Sequence, residues 1–162
     1  MTSRHRQSLI VKPLIIIAGI GLAMITTLDS VVSIASAQQS GTIASIQNGK
    51  NGMPAWILSG GWDFKNINSS SPAFNSTFHM VMLNGTAPHK HSITDFKMTG
   101  SPTKSGMTTT YNGTASVTMP GMTMPNVPIS IKLMGRAMSL HIDPTMTMGH
   151  FGNTPIYGFV NK

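Results

Sequence analysis

The histidines of this chain are the residues whose spacing most clearly points to chemistry. His89 and His91 are separated by one residue in the stretch HKHSITDFKM. In a β-strand, residues i and i+2 project from the same face, so the two imidazoles would lie side by side, as metal ligands often do in β-proteins. Asp95 has the same parity and would add a carboxylate to that face if no bulge intervenes. The pattern therefore predicts a metal site on this strand.

Further ligands come from later segments. His141 lies on the polar face of AMSLHID, and His150 follows it in a loop, after Met146 and Met148. Thioether sulfur prefers Cu(I) and imidazole accepts Cu(I) or Cu(II), so this set of side chains predicts a copper ion as the cofactor. The alternative is that the loop methionines are apolar cover for one end of a barrel, and that the histidines are merely exposed. We interpret MPGMTMP, residues 119–125, mainly as such cover.

Absent residue types exclude several kinds of site. Cysteine is absent, which excludes disulfides, thiolate zinc sites, iron–sulfur clusters and blue-copper centres. Glutamate is absent too, and only Asp63, Asp95 and Asp143 could form a carboxylate pair beyond the N-terminal segment. The chain contains neither a G-x-S-x-G nucleophile elbow nor a phosphate-binding loop. We therefore assign no catalytic residue and favour binding over catalysis.

The N-terminal segment predicts export. Arg4, Arg6 and Lys12 precede an apolar run, and Ala35-Ser36-Ala37 is a small-x-small cleavage signature. Residues 1–37 are thus a predicted signal peptide, with an uncleaved membrane anchor as the alternative. Either way the rest of the chain is expected to be extracytoplasmic, secreted or held at the cell surface, and to meet the membrane only through an uncleaved segment.

The remaining chain has a modest positive charge. Eight lysines and arginines against three aspartates beyond Ala37 give +5, spread without a basic cluster, so nucleic acid is not expected as a partner. Other cell-surface proteins and a metal ion are the expected partners. Four N-x-S/T sequons are candidate glycosylation sites, at Asn68, Asn75, Asn84 and Asn112.

The hydrophobic pattern has a period of two. Residues 38–53 are polar and are interpreted as a linker or a frayed first strand, and residues 54–162 as one all-β domain. Asn84-Gly85 and Asn112-Gly113 are hairpin signals, and Gly60-Gly61 predicts a bulge or a turn. Short strands between such signals predict a single antiparallel β-sandwich or small β-barrel of about 7–8 strands.

Two resemblances bear on function. Gly85, His89, His91, Asp95 and Gly100, with Pro144, Gly149, His150 and Asn153, resemble the two motifs of the cupin family, although aspartate stands where glutamate is usual. That resemblance implies a metal-holding β-barrel. The segments FHMVMLNGTAPHKHSITDF and HFGNTPIYGFV resemble small secreted proteins of ammonia-oxidising archaea, which implies a copper-rich, extracytoplasmic setting.

Three functional hypotheses follow. The first is a secreted or surface-held β-domain that binds a transition metal, copper first, for storage, delivery or sequestration. The second is a structural or adhesive module without metal, which predicts His89 and His141 far apart. The third is a cupin-like metalloenzyme.

Overall fold

The computed structural model describes residues 37–161, and these form nine β-strands. The strands are β1 (Gln39–Asn48), β2 (Pro54–Lys65), β3 (Ala73–Met82), β4 (His89–Met98), β5 (Thr103–Ser105), β6 (Thr108–Met119), β7 (Met122–Met134), β8 (Ala137–Ile142) and β9 (Ile156–Val160). Within residues 37–161, no helix has the length and apolar character needed to cross a membrane. The predicted signal segment lies outside the described residues, except for Ala37.

Eight of these strands form a closed antiparallel barrel. Each barrel strand pairs with the next one along the chain, β4 pairs with β6, and β9 pairs with β1 to close the ring. The short strand β5 lies outside the ring and pairs only with β6. The prediction of an all-β domain with a small barrel of about 7–8 strands is confirmed.

The first barrel strand decides between the two interpretations of residues 38–53, in favour of a strand. Residues 38–53 are not a linker, because β1 pairs with β2 over its whole length and with β9 near its start. Its inward positions are Gly41, Ile43, Ser45 and Gln47, all buried. Only one of these four is a large apolar residue. The hydrophobic alternation of this segment is therefore weak, although the segment forms a complete strand in the structure.

The barrel interior is filled by side chains that alternate along each strand. A group of aromatic rings occupies one end, with Phe64 in edge-to-face contact with Phe74, Phe96 and Tyr111. Apolar side chains of this interior include Ile43, Leu58, Trp62, Phe78, Met80, Ile93, Val117, Ile131, Met138, Leu140 and Ile156. At the opposite end, four connections meet: the turns after β1, β3 and β6, and the long loop between β8 and β9.

The hairpin signals are partly confirmed. Asn84-Gly85 does turn the chain between β3 and β4, and the Gly85 amide donates to the Met82 carbonyl at 2.8 Å. Asn112-Gly113, in contrast, lies inside the continuous strand β6. A Cβ on Gly113 would lie 2.8 Å from Cζ of Phe96, so this glycine makes room for an aromatic ring rather than for a turn.

Gly60-Gly61 also lies inside a strand rather than at a bulge or turn. The register of β2 with both neighbours runs unbroken through the pair. A Cβ on Gly60 would lie 2.5 Å from Cα and 2.7 Å from Cβ of Phe78, and closer still to the Thr77 carbonyl oxygen. At Gly61 the nearest neighbour would be the Gly41 carbonyl oxygen, at 3.5 Å.

These two glycines give a matched prediction. Gly60→Ala is expected to lower the free energy of unfolding by about 3 kcal/mol, at the upper end of overpacking costs because the clash is with backbone. Gly61→Ala is expected to change it by less than about 0.5 kcal/mol, as exposed substitutions usually do. Urea unfolding of both variants measures the difference, and equal stabilities would contradict the packing at Gly60.

Candidate metal centre

The candidate metal centre lies at the barrel end where the four connections meet. His89 and His91 are the first and third residues of β4, and both point toward the interior. His91 is 1% exposed and packs against the rings of Phe78 and Phe151. His89 contacts Trp56 of β2 edge-on, with the ring centroids 5.4 Å apart. The strand thus delivers two imidazoles to one place, as the i, i+2 spacing predicted.

The third histidine comes from the loop between β8 and β9. This loop is held by its own hydrogen bonds: the Asp143 carboxylate accepts from the Thr145 amide at 2.7 Å, and the Thr147 hydroxyl donates to the Asp143 carbonyl at 2.9 Å. Phe151, 2% exposed, anchors the loop in the core. His150 precedes that anchor, so its ring is carried to the barrel end beside His89 and His91.

The three imidazoles converge on one point. His150 Nε2 lies 3.1 Å from His89 Nε2 and 3.0 Å from His91 Nε2, and one nitrogen from each ring lies within 4.8 Å of the others. With metal–nitrogen bonds of about 2.0–2.1 Å, each of the two separations from His150 subtends roughly 95° at a shared ion, and an ion bound to all three rings needs the nitrogens of His89 and His91 within about 4.2 Å of each other. The three side chains could therefore hold a metal ion.

Backbone carbonyls fix how two of the rings present their lone pairs. Nδ1 of His89 donates to the Ala87 carbonyl at 2.8 Å, and Nδ1 of His91 donates to the Thr118 carbonyl at 2.7 Å. A carbonyl oxygen can only accept, so each Nδ1 carries the proton and each neutral ring turns an Nε2 lone pair toward the cluster. This is the arrangement that outer-shell partners impose on metal-binding histidines.

Hydrogen bonding alone does not satisfy this cluster. The single proton that a neutral His150 can place on Nε2 can be donated fully to only one of the two facing lone pairs, those of His89 and His91. The other lone pair then faces nitrogen without a hydrogen between them. A cation at the centre would accept all three lone pairs at once, which favours metal binding over a purely structural histidine cluster.

The surroundings of the cluster lower the pKa values of two of its histidines. Burial lowers the pKa of His91 from 6.5 to about 4; the hydrogen bond to the Thr118 carbonyl opposes this, and His150 and His89 add to it. Burial also lowers the pKa of His150, with a further contribution from His89. Both rings are therefore neutral at neutral pH, which is the form that binds a metal.

Not every predicted ligand joins the cluster. Asp95 lies in an irregular stretch of β4 where the register against β6 shifts, and its φ of 57° turns the carboxylate outward, so that Phe96 takes the inward position. His141 lies on the outer face of β8, between the inward-facing Leu140 and Ile142. The bulge that the sequence left open is the reason that Asp95 lies apart from the histidines.

A cleft of about 810 Å³ opens beside the cluster. Trp56 and His150, the neighbours of His89, form part of its wall. Met148 of the predicted Met-x-Met-x-His pattern lines it, whereas Met146 does not. Met119 and Met122 line it as well, so MPGMTMP is indeed brought near the histidines. The sequence analysis did not assign Trp56 to the site, although its inward parity in a strand was the available signal.

The sequon asparagines occupy different surroundings. Asn68, Asn84 and Asn112 are exposed, whereas Asn75 is half-buried and its amide donates to the Asp63 carboxylate at 3.4 Å. Glycosylation at these sites stays a prediction.

The fold and the site together define a small up-and-down β-barrel with a three-histidine cluster at one end. Comparison of the chain with protein-family models, with curated proteins and with solved structures finds no match. The resemblances to the cupin motifs and to the archaeal secreted proteins therefore stay predictions.

Proposed function

We propose that this protein binds one transition-metal ion, copper in preference, at His89, His91 and His150, and that it stores, delivers or sequesters that ion outside the cytoplasm. The observation that carries the proposal is the convergence of three Nε2 atoms, two of them oriented by backbone carbonyls. The extracytoplasmic setting is supported by the export features of residues 1–37.

The donor set argues for a late transition metal. All three ligands are neutral imidazoles, and within residues 37–161 no carboxylate or thiolate belongs to this cluster. Hard cations such as Mg²⁺ and Ca²⁺ prefer oxygen ligands, whereas imidazole suits Zn, Cu, Fe and Ni. Among divalent first-row ions, Cu²⁺ binds nitrogen sites most tightly, and the thioethers in the adjacent cleft suit the reduced ion.

The direct test is a metal titration of the purified protein. We expect one ion of Cu(II) per chain, bound more tightly than Zn(II), in competition against a chromophoric chelator. His79→Ala and His141→Ala are matched controls, because both histidines lie outside the cluster, and neither change should alter the affinity. A stoichiometry far below one would show that the three histidines are not the binding site. The same conclusion would follow if the control variants lost as much copper affinity as a variant in which His89 and His91 are replaced by alanine.

The main alternative is a structural module that binds no metal. The same titration distinguishes it from the proposed metal-binding protein. The position of His141 outside the cluster fits that rival as well, since it predicts His89 and His141 to be separate. It does not account for the facing Nε2 atoms, which a structural role would not need.

A further inference from the structure

Met119, the first residue of the MPGMTMP segment, lines the cleft beside the histidine cluster. Ile93 of β4 lies opposite Val117 of β6, and both point inward. Two residues further toward the site, the next inward-facing residues of these strands are His91 and Met119. Facing side chains on one side of an antiparallel pair have Cβ atoms about 4.5–5.5 Å apart. Continued by two residues beyond Ile93 and Val117, the same register places Met119 across from His91.

Two hydrogen bonds that involve side chains join β4 and β6 beside the site. His91 Nδ1 donates to the carbonyl of Thr118, the residue before Met119, and the Ser92 amide donates to the Thr118 hydroxyl at 2.6 Å. Met119 is 8% exposed and lines the cleft together with His150. The Met119 side chain is thus largely buried and borders the same cleft as His150.

Three histidines leave at least one coordination position for another ligand. A four-coordinate ion held by three imidazoles has one position left, and no carboxylate or thiolate of residues 37–161 joins the cluster to fill it. Met122 and Met148 also line the cleft but are 53% and 76% exposed, so ordering either would cost side-chain entropy. Met119 is already packed, and that cost is largely absent for it.

We propose that the thioether of Met119 is the fourth ligand of the ion held by His89, His91 and His150, and that it makes the site selective for Cu(I). The inference rests on the proposed metal binding at the three histidines. One soft sulfur beside three imidazoles favours the reduced ion over Zn(II), because Zn(II) gains little from a thioether. The site is then one for holding reduced copper.

X-ray absorption at the copper edge of the Cu(I)-loaded protein tests this assignment. We expect nitrogen and sulfur scattering in the native protein, and loss of the sulfur shell in Met119→Leu. Cu(I) affinity should fall about tenfold or more in this variant, since even outer-shell changes cost 10–100-fold, while Zn(II) affinity changes much less. Met107→Leu is the control, because Met107 is 89% exposed beside the opposite end of β6.

The possible outcomes separate this inference from the proposed function. Nitrogen scattering without sulfur in the native protein would overturn the role of Met119 and leave the histidine site standing. A sulfur shell that survives Met119→Leu but disappears in Met148→Leu would also overturn it, in favour of the exposed loop methionine. Absence of bound copper in the native protein would overturn both. Thermal melting of metal-free Met119→Leu checks that the variant folds, as a volume-conserving core change should allow.

Discussion

Replacing His89 and His91 together by alanine is expected to abolish the stabilisation of this protein by metal. A ligand that binds only the folded state, present at about 100 times its dissociation constant, raises the free energy of unfolding by about 2.7 kcal/mol. For a barrel of this size that corresponds to a rise in melting temperature of about 10 °C. The native protein should show this rise on addition of Cu(II) and lose it on addition of a chelator, whereas the double variant should melt at the same temperature in both conditions.

Two features of the structure shape the control for this experiment. His91 is buried against Phe78 and Phe151, so its replacement by alanine also leaves a cavity and lowers the stability of the metal-free protein. Each protein is therefore compared with itself, with and without metal. His150→Ala removes one ligand from a half-buried loop position and avoids the cavity at His91. A metal-dependent melting temperature that persists in both variants would place the ion elsewhere.

Acid is expected to destabilise the metal-free protein through His91. Its pKa is lowered from 6.5 to about 4 in the folded state, so the unfolded chain binds the proton more readily. The resulting contribution to stability is fully present above pH 6.5, declines as the pH falls, and is lost below about pH 4. At 1.36 kcal/mol per pKa unit the full change is about 3 kcal/mol. The lowered pKa of His150 acts in the same direction.

Urea unfolding of the metal-free protein between pH 7.5 and pH 4 measures this dependence. His91→Gln is the informative variant, because glutamine does not titrate and its amide could still donate to the Thr118 carbonyl. Its stability should fall less over the same range. Equal pH dependence in the two proteins would show that His91 is not the group that resists protonation.

The same pKa shifts predict how metal binding responds to pH. Because His91 and His150 are already neutral near pH 7, binding need not displace a proton from either ring. Affinity should therefore fall by no more than about tenfold per pH unit between pH 7.5 and 6, which corresponds to at most one competing proton. A steeper fall of metal affinity with decreasing pH would contradict the lowered pKa values of His91 and His150.

Much of the fold followed from local patterns. The strand in HKHSITDFKM and the Asn84-Gly85 turn were predicted where they occur. The failures have two causes. In β1, the inward residues Ser45 and Gln47 are polar and weaken the hydrophobic alternation that indicates a strand. In β2 and β6, Gly60 and Gly113 lie where Phe78 and Phe96 approach the backbone closely. From sequence alone, a glycine that makes room for a neighbouring side chain cannot be distinguished from a glycine in a turn.

The pairing of His89 with His91 was determined by sequence alone, because the period of a strand puts residues i and i+2 on one face. The tertiary structure decided everything that depends on distant segments. Closure of the barrel and the anchoring of Phe151 bring His150 to the pair across about sixty positions of chain and leave His141 outside. A local irregularity turns Asp95 away, and the end of β6 brings Met119 to the cleft that His150 also lines. Spacing along one strand fixes a direction, but only the pairing of strands fixes which side chains share a point in space.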